Sequence, residues 1–240
     1  MSQKTGGSDM TRFYRILGVV AVPGVLAIGY SMFFGQAAAG VSGPVDFGDL
    51  QGRELTEAAQ GIRVGSDDAP ITVMEFGDYQ CPACAEFAAL HKPAIIRELV
   101  ETGRVAFVFR DFPLTDIHPN AFLAARAGRC AADQNLFWEY QDHLFGSQSR
   151  WTFEANPTGV FVDLAESLGA NGGTFRTCIS GDAHAEVVSA NLALAQALRL
   201  PGTPAILLQK GAGTTVIPSY DFRSILAAVE ELEAGDAAGG

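Results

Sequence analysis

The stretch Ile71-Thr72-Val73-Met74-Glu75-Phe76-Gly77-Asp78-Tyr79-Gln80-Cys81-Pro82-Ala83-Cys84 decides the fold. Ile71 to Phe76 is a short apolar run of strand type, interrupted only by Thr72 and Glu75, and Gly77 to Gln80 is a turn. From Cys81 a helical pattern runs to about Thr102, with Phe87, Leu90, Ala94, Ile95 and Ile96 at helical spacing and Gly103 as its stop. Pro93 predicts a kink in that helix. Val105 to Phe109 reads as the next buried strand. Strand, helix and strand in this order predict a right-handed crossover and a parallel pair.

Two cysteines at i and i+3 on a helix start project to the same side, with Cβ atoms ~5–6 Å apart before adjustment. A disulfide needs ~3.5–4.5 Å, so Cys81 and Cys84 can close one with modest strain. Pro82 suits the first helical position, where its missing N–H would have gone unused. Cys81 then faces unpaired backbone N–H groups and the positive end of the helix dipole, both of which favour a thiolate. A zinc site would want a second pair of ligands at short spacing. Cys130 and Cys178 have no Cys or His partner three residues away, and His91, His143 and His184 share no metal-like spacing. The expectation is therefore redox chemistry without a metal.

Outward from this stretch, residues 119–199 read as helices only: 121–132, 136–145, 158–168, 174–179 and 183–198. Leu200-Pro201-Gly202-Thr203-Pro204 breaks the pattern. Ala205 to Gln209 is a strand, Thr214 to Ile217 its hairpin partner, and Phe222 to Leu232 a closing helix before a tail at 234–240. The fold class is α/β, with an all-helical insertion. Residues 40–61, rich in glycine and mixed in charge, read as a linker, and the folded domain as 62–233.

Arg12 and Arg15 precede an uncharged apolar run, Ile16 to Phe34, and Ala37-Ala38-Ala39 follows. A positive flank, an apolar stretch and small residues make an export signal. Because the run just reaches bilayer length, residues 1–39 read as a cleaved signal or, preferred here, as a membrane anchor with the rest outside the cytoplasm. The chain of 240 residues carries a net charge of −11. Lys4, Arg12 and Arg15 against Asp9 leave 13 basic and 26 acidic residues after the first 40. That balance excludes nucleic acid, whose affinity rests on Lys and Arg contacts to phosphate.

Glu75-Phe76 before Cys81-Pro82-Ala83-Cys84, an all-helical middle, and Gly202-Thr203-Pro204 before a strand resemble the DsbA-like branch of the thioredoxin family, in its single-domain extracytoplasmic form. The resemblance covers about residues 65–232 and implies a thioredoxin-like fold. It also implies that Cys81 is the exposed nucleophile, Cys84 the resolving thiol, and Thr203-Pro204 a cis peptide that faces them and pairs with substrate backbone. Glu75, six residues before Cys81, matches the family's buried carboxylate, able to accept or relay a proton as Cys84 attacks. The dipeptide Pro82-Ala83 departs from the His-containing form of the most oxidising members.

The activity implied is disulfide donation to reduced exported proteins through a mixed disulfide. A membrane quinone-linked reoxidase of the DsbB or VKOR type would restore the donor, with no cofactor on the chain itself and a monomeric state. A disulfide isomerase or reductase of the same fold is the nearest alternative; a peptide-binding chaperone with dispensable thiols is one of another class.

Cys130 and Cys178 remain once Cys81 and Cys84 close locally. An oxidising compartment suits a bond between them, and two buried free thiols are the alternative. His118, before Pro119, is expected as a loop-end cap, with a place over the active site as the alternative. Phe137, Trp138 and Tyr140 are expected in the core of the insertion.

Overall fold

The computed structural model describes residues 41–46 and 48–237. The apolar run 16–34, expected as signal or anchor, lies outside them. Among the described residues no helix is long and apolar enough to cross a membrane.

In chain order the elements are α1 (Gly52–Ala58), β1 (Ile62–Val64), β2 (Ile71–Gly77), α2 (Pro82–Leu90), α3 (Lys92–Ile95), a π-helical turn (Ile96–Val100) and β3 (Val105–Asp111). There follow α4 (Ala121–Ala132), α5 (Phe137–Gly146), a 3₁₀ turn (Gln148–Arg150), α6 (Thr158–Ser167), α7 (Gly172–Ser180) and α8 (Ala185–Ala197). The chain closes with β4 (Ala205–Lys210), β5 (Gly213–Ile217) and α9 (Phe222–Ala237). The strand order is β1-β3-β2-β4-β5. Strands β2 and β3 are parallel, with Val73 opposite Phe107 and Glu75 opposite Phe109. The other pairs, β1 with β3, β2 with β4 and β4 with β5, are antiparallel.

Because β2 is central, its two faces are both covered, and its alternation divides the core. Ile71 and Val73 pack with Phe87, Ile95, Leu99, Phe107, Ile206, Leu208, Ile225 and Val229, under α2, α3 and α9. Met74 and Phe76 face the other way and pack with Leu55, Val108, Leu207, Ala190 and Leu194, under α1 and α8. A period of two therefore drops Glu75 onto the same face as Ile71 and Val73. A third cluster fills the insertion around Phe122, Tyr140, Leu144, Trp151, Phe161 and Phe175. Tyr140 donates to the Phe161 carbonyl at 3.0 Å, and Trp138 lies with its ring centroid 5.9 Å from Phe107.

Three expectations need correction, the simplest being the tail at 234–240, since α9 runs on to Ala237. Residues 40–61 are not a bare linker. They hold the helix α1 and, packed against α8, bury Leu55 and Ala59. A seven-residue helix with so few apolar positions is too short to show periodicity. Strand β1, three residues long, falls below the same threshold. The long helix after Cys81 is broken rather than kinked: α2 ends at Leu90, His91 caps it, and Pro93 sits in the first turn of α3. Proline is at home in a first turn, where its missing donor costs nothing.

Arg126 is wholly buried in α4. Its guanidinium donates to four backbone carbonyls, those of Val41, Cys178, Gly181 and Ala183. The peptide thus tied to α4 includes the N-terminal edge of the described chain.

Candidate active site

Cys81 sits at the carboxyl end of β2, where the chain turns into α2. It is the N-cap of that helix, with extended backbone (φ −74°, ψ 123°), and Pro82 follows in the first turn. The turn is closed by the Cys81 N–H on the Asp78 carbonyl at 3.1 Å, and the first helical bond runs from the Ala85 N–H to the Cys81 carbonyl at 3.2 Å. Both thiols are free. Cys81, expected to be exposed, is only 8% exposed, though more open than Cys84, which is wholly buried because it faces into the core behind the helix start.

The two sulfurs are pushed in opposite directions. The Cys81 thiol is lowered from 9.0 to about 5, chiefly because the Cys84 thiol hydrogen-bonds to it; Thr203 and the N–H groups of Ala83 and Cys84 help, and burial opposes. Cys84 is pushed well above its usual value by burial first, then by its role as the donor to Cys81 and by the nearby charge of Glu75. One thiol is thus an anion at neutral pH and the other keeps its proton.

Glu75 is 1% exposed, and its Oε1 is buried without a hydrogen-bond partner. Burial pushes its carboxyl up from 4.5 to about 8, with Lys92 opposing. Gly77 is what lets this carboxyl in: a Cβ there would stand 2.5 Å from the Phe109 ring and 2.9 Å from Glu75 Oε1. Lys92 is itself buried, and its ammonium donates to Gln141 at 2.7 Å and pairs with Asp142, which is open to solvent.

The Thr203–Pro204 peptide is cis. When protonated, the Cys81 thiol donates to the Thr203 carbonyl at 3.4 Å, which places residue 203 against that sulfur. The Thr203 hydroxyl is buried too, and it helps hold the Cys81 sulfur as an anion. Pro82 and Ala83 open the helix between the two cysteines.

The insertion is wired into the same turn. Gln148 Nε2 donates to the carbonyls of Tyr79 and Cys81, at 2.7 and 3.0 Å. Gln80 accepts from the Asn120 N–H and donates to the Thr152 carbonyl. Phe153, next to Thr152 of this network, is 96% exposed, and Ile117, next to His118, is 68% exposed.

In the sequence Asp78 is turn material and nothing more. It is buried, and its Oδ1 accepts from the Gln80 N–H at 2.7 Å, an Asx turn. Its Oδ2 accepts from the Leu114 N–H and meets His118 Nδ1, both at 2.8 Å. The available signal was an Asp two residues before a polar residue in a strand-to-helix turn. His118 is not a free loop-end residue: it belongs to this cluster.

Cys130 on α4 and Cys178 on α7 are joined, with Sγ atoms 1.97 Å apart, across a sequence separation of 48. His184 lies beside them, its Nε2 2.8 Å from Asp133 Oδ2. Both sulfurs are spent in the bond, so the trio offers a cation one ligand rather than three.

A family model described as thioredoxin matches residues 57–228. Among relatives, the Na(+)/H(+) antiporter NhaA 1 of Salinispora arenicola is 32% identical over 171 residues, 71% of this chain, which spans only about a quarter (24%) of that protein's length. The probable disulfide bond formation protein D of Bacillus anthracis is 28% identical, over 71% of this chain and 78% of its own. The crystal structure of oxidised BdbD from Bacillus subtilis superposes with a TM-score of 0.64 at 27% identity, covering 80% of this chain and 97% of that one. With the buried acid, the Cys-x-x-Cys helix start and the helical insertion in place, the chain belongs to the thioredoxin family, in its DsbA-like branch.

Proposed function

We propose that this chain is an extracytoplasmic thiol–disulfide oxidoreductase that donates the Cys81–Cys84 disulfide to reduced exported proteins. The observation that carries the reading is the opposed pair of thiols: Cys81 lowered to about 5 and Cys84 raised by burial. A dithiol whose outer member is a stable thiolate is a reluctant reductant, so its disulfide is a good oxidant.

The steps follow from that polarity. A client thiolate attacks Cys81 Sγ, and the electron pair of the broken bond goes to Cys84. Buried as it is, Cys84 needs a proton, and Glu75, raised to about 8, holds one at neutral pH. The client's second thiolate then attacks its own sulfur in the mixed disulfide and expels Cys81, which leaves readily as the stabilised thiolate. Ile117 and Phe153 offer exposed apolar surface near the Cys81 turn for an unfolded client. Export rests on Arg12, Arg15 and the 16–34 run, and a quinone-linked membrane reoxidase would return the disulfide. The second pair, Cys130–Cys178, is read as structural.

Titration of the Cys81–Cys84 couple against glutathione tests the direction. A reduction potential near about −120 to −180 mV supports the oxidant, and one near about −270 mV, the thioredoxin range, makes the chain a reductase instead. Protease accessibility of the catalytic domain in cells stripped of their outer barrier tests its location.

A further inference from the structure

The Asp78 carboxylate has more than a turn to hold. Its side chain is fully buried, and three donors converge on it: the Gln80 N–H, the Leu114 N–H and His118 Nδ1. None of them is a lysine or arginine. The first belongs to its own turn, and the other two to the segment between β3 and α4. On the main chain of the same residue, the carbonyl accepts from the Cys81 N–H at 3.1 Å, while the N–H points at Cys84 Sγ at 3.4 Å. One residue therefore touches both halves of the dithiol, and its position is set from outside the turn.

We propose that Asp78 and His118 form a clamp that presents the Asp78 N–H to Cys84 whenever that sulfur becomes a thiolate. The inference deepens the oxidoreductase reading above and rests on it. Cys84 is the leaving group when a client attacks Cys81, and the attacking group when a mixed disulfide at Cys81 is resolved. Each passage puts a negative charge on a sulfur with no solvent around it. Glu75 supplies or takes the proton; the Asp78 N–H is a fixed dipole already aimed at the charge, which costs no reorganisation when the charge forms. The three donors on the Asp78 carboxylate fix the residue, and with it the direction of its N–H, and His118, whose side chain is 16% exposed, is the member that reaches solvent. Asp78 acts through its own N–H; His118 is a positioning residue.

The probe is oxidised glutathione. Mixed with the reduced full-length protein, it forms a Cys81–glutathione mixed disulfide; Cys84 thiolate then attacks Cys81 Sγ, glutathione leaves as its thiolate and takes a proton from water. The rate of that second step is read by mass spectrometry of quenched samples. His118→Ala removes the donor, and His118→Asn restores one where Nδ1 stood. The clamp predicts that His118→Ala slows the Cys84 step about tenfold, a loss of about 1.4 kcal/mol. His118→Asn recovers most of it, and both keep the wild-type pH profile of Cys81 alkylation. Asp78→Asn, which turns one acceptor into a donor facing Leu114, slows the step at least as much. If His118→Ala does not fold, His118→Gln takes its place, with its amide too far out to reach Asp78 in the same way. A folded donorless variant with the wild-type Cys84 rate overturns the clamp, as does equal slowing in the Ala and Asn variants. Failure of the wild type to oxidise a dithiol peptide would instead overturn the proposed function, an outcome read separately from the Cys84 rates of the variants.

Discussion

Cys81 and Cys84 lie three residues apart at the mouth of one helix, whereas Cys130 and Cys178 lie on two helices, 48 residues apart. Within the first pair, N–H groups and a neighbouring thiol steady one sulfur as an anion, and burial holds the other neutral. The second pair bridges α4 to α7 inside the insertion, with Cys130 buried against the helical core. The sulfur atoms are alike, so on the proposed reading what separates a reactive bond from a strut is the direction in which the surroundings push each thiol. A helix start creates that asymmetry, and a bridge between two helix bodies does not.

The largest test of this contrast is Cys81→Ser, which keeps an N-cap side chain and removes the nucleophile. Oxidation of a dithiol peptide should fall on the order of 10³-fold or more, with the melting temperature close to wild type. Glu75→Gln comes next. Loss of the proposed proton donor should slow the Cys84 step on the order of 100-fold. Its effect on stability has a definite sign. A carboxyl raised from 4.5 to about 8 on folding favours the native state below pH 4.5 and weakens it as pH rises towards 8. Glu75→Gln should therefore stabilise the protein more at pH 8 than at pH 5, read by paired denaturant melts.

Replacement of Cys130 and Cys178 together by Ala should do the reverse of Cys81→Ser. The chain-entropy argument allows about 4 kcal/mol at most, or a drop of roughly 10 °C in Tm, while peptide oxidation stays within about twofold. A folded double variant that no longer oxidises would erase the distinction between the pairs. The smallest effect is on pH. Cys81 should alkylate with a half-maximal rate near pH 5, with Cys84 scarcely labelled at pH 6. Because the Cys81 thiol is depressed from 9.0 to about 5 only in the folded dithiol form, the reduced protein should gain stability on the oxidised one as pH climbs from about 5 to about 9, and lose that gain on acidification through 5. A flat difference between the two forms over that window would show that Cys81 is not held as a thiolate.

Much of this was readable beforehand. The turn from Phe76 to Cys81, the helix opened by Pro82 and the parallel partner Val105 to Phe109 depend on local chemistry and on period, and both are written in consecutive residues. The insertion helices are long enough to show their spacing, and 121–132 and 158–168 coincide with the observed α4 and α6 to within a residue. What escaped is short or convergent. Helix α1 and strand β1 have too few residues to carry a period, and their place is decided by α8 and β3. Asp78 and His118 stand 40 residues apart, and neither means anything until β3 brings its following segment back beside the turn. Gln148 is opaque for the same reason: an amide in an insertion gives no hint that it holds the carbonyls of Tyr79 and Cys81.

Arg126 shows how narrowly one position can be written. Its four carbonyl acceptors belong to residues 41, 178, 181 and 183, and only a planar fork with donors on three nitrogens can face them together. Lysine carries the same charge on a single nitrogen, a point donor at the end of a flexible stem. An exchange that a substitution matrix scores as mild would here leave several of these carbonyls without their protein donor around a buried side chain. Codon 126 should therefore tolerate neither lysine nor an apolar isostere, and a library randomised at that codon and sorted for folded protein should return arginine almost alone.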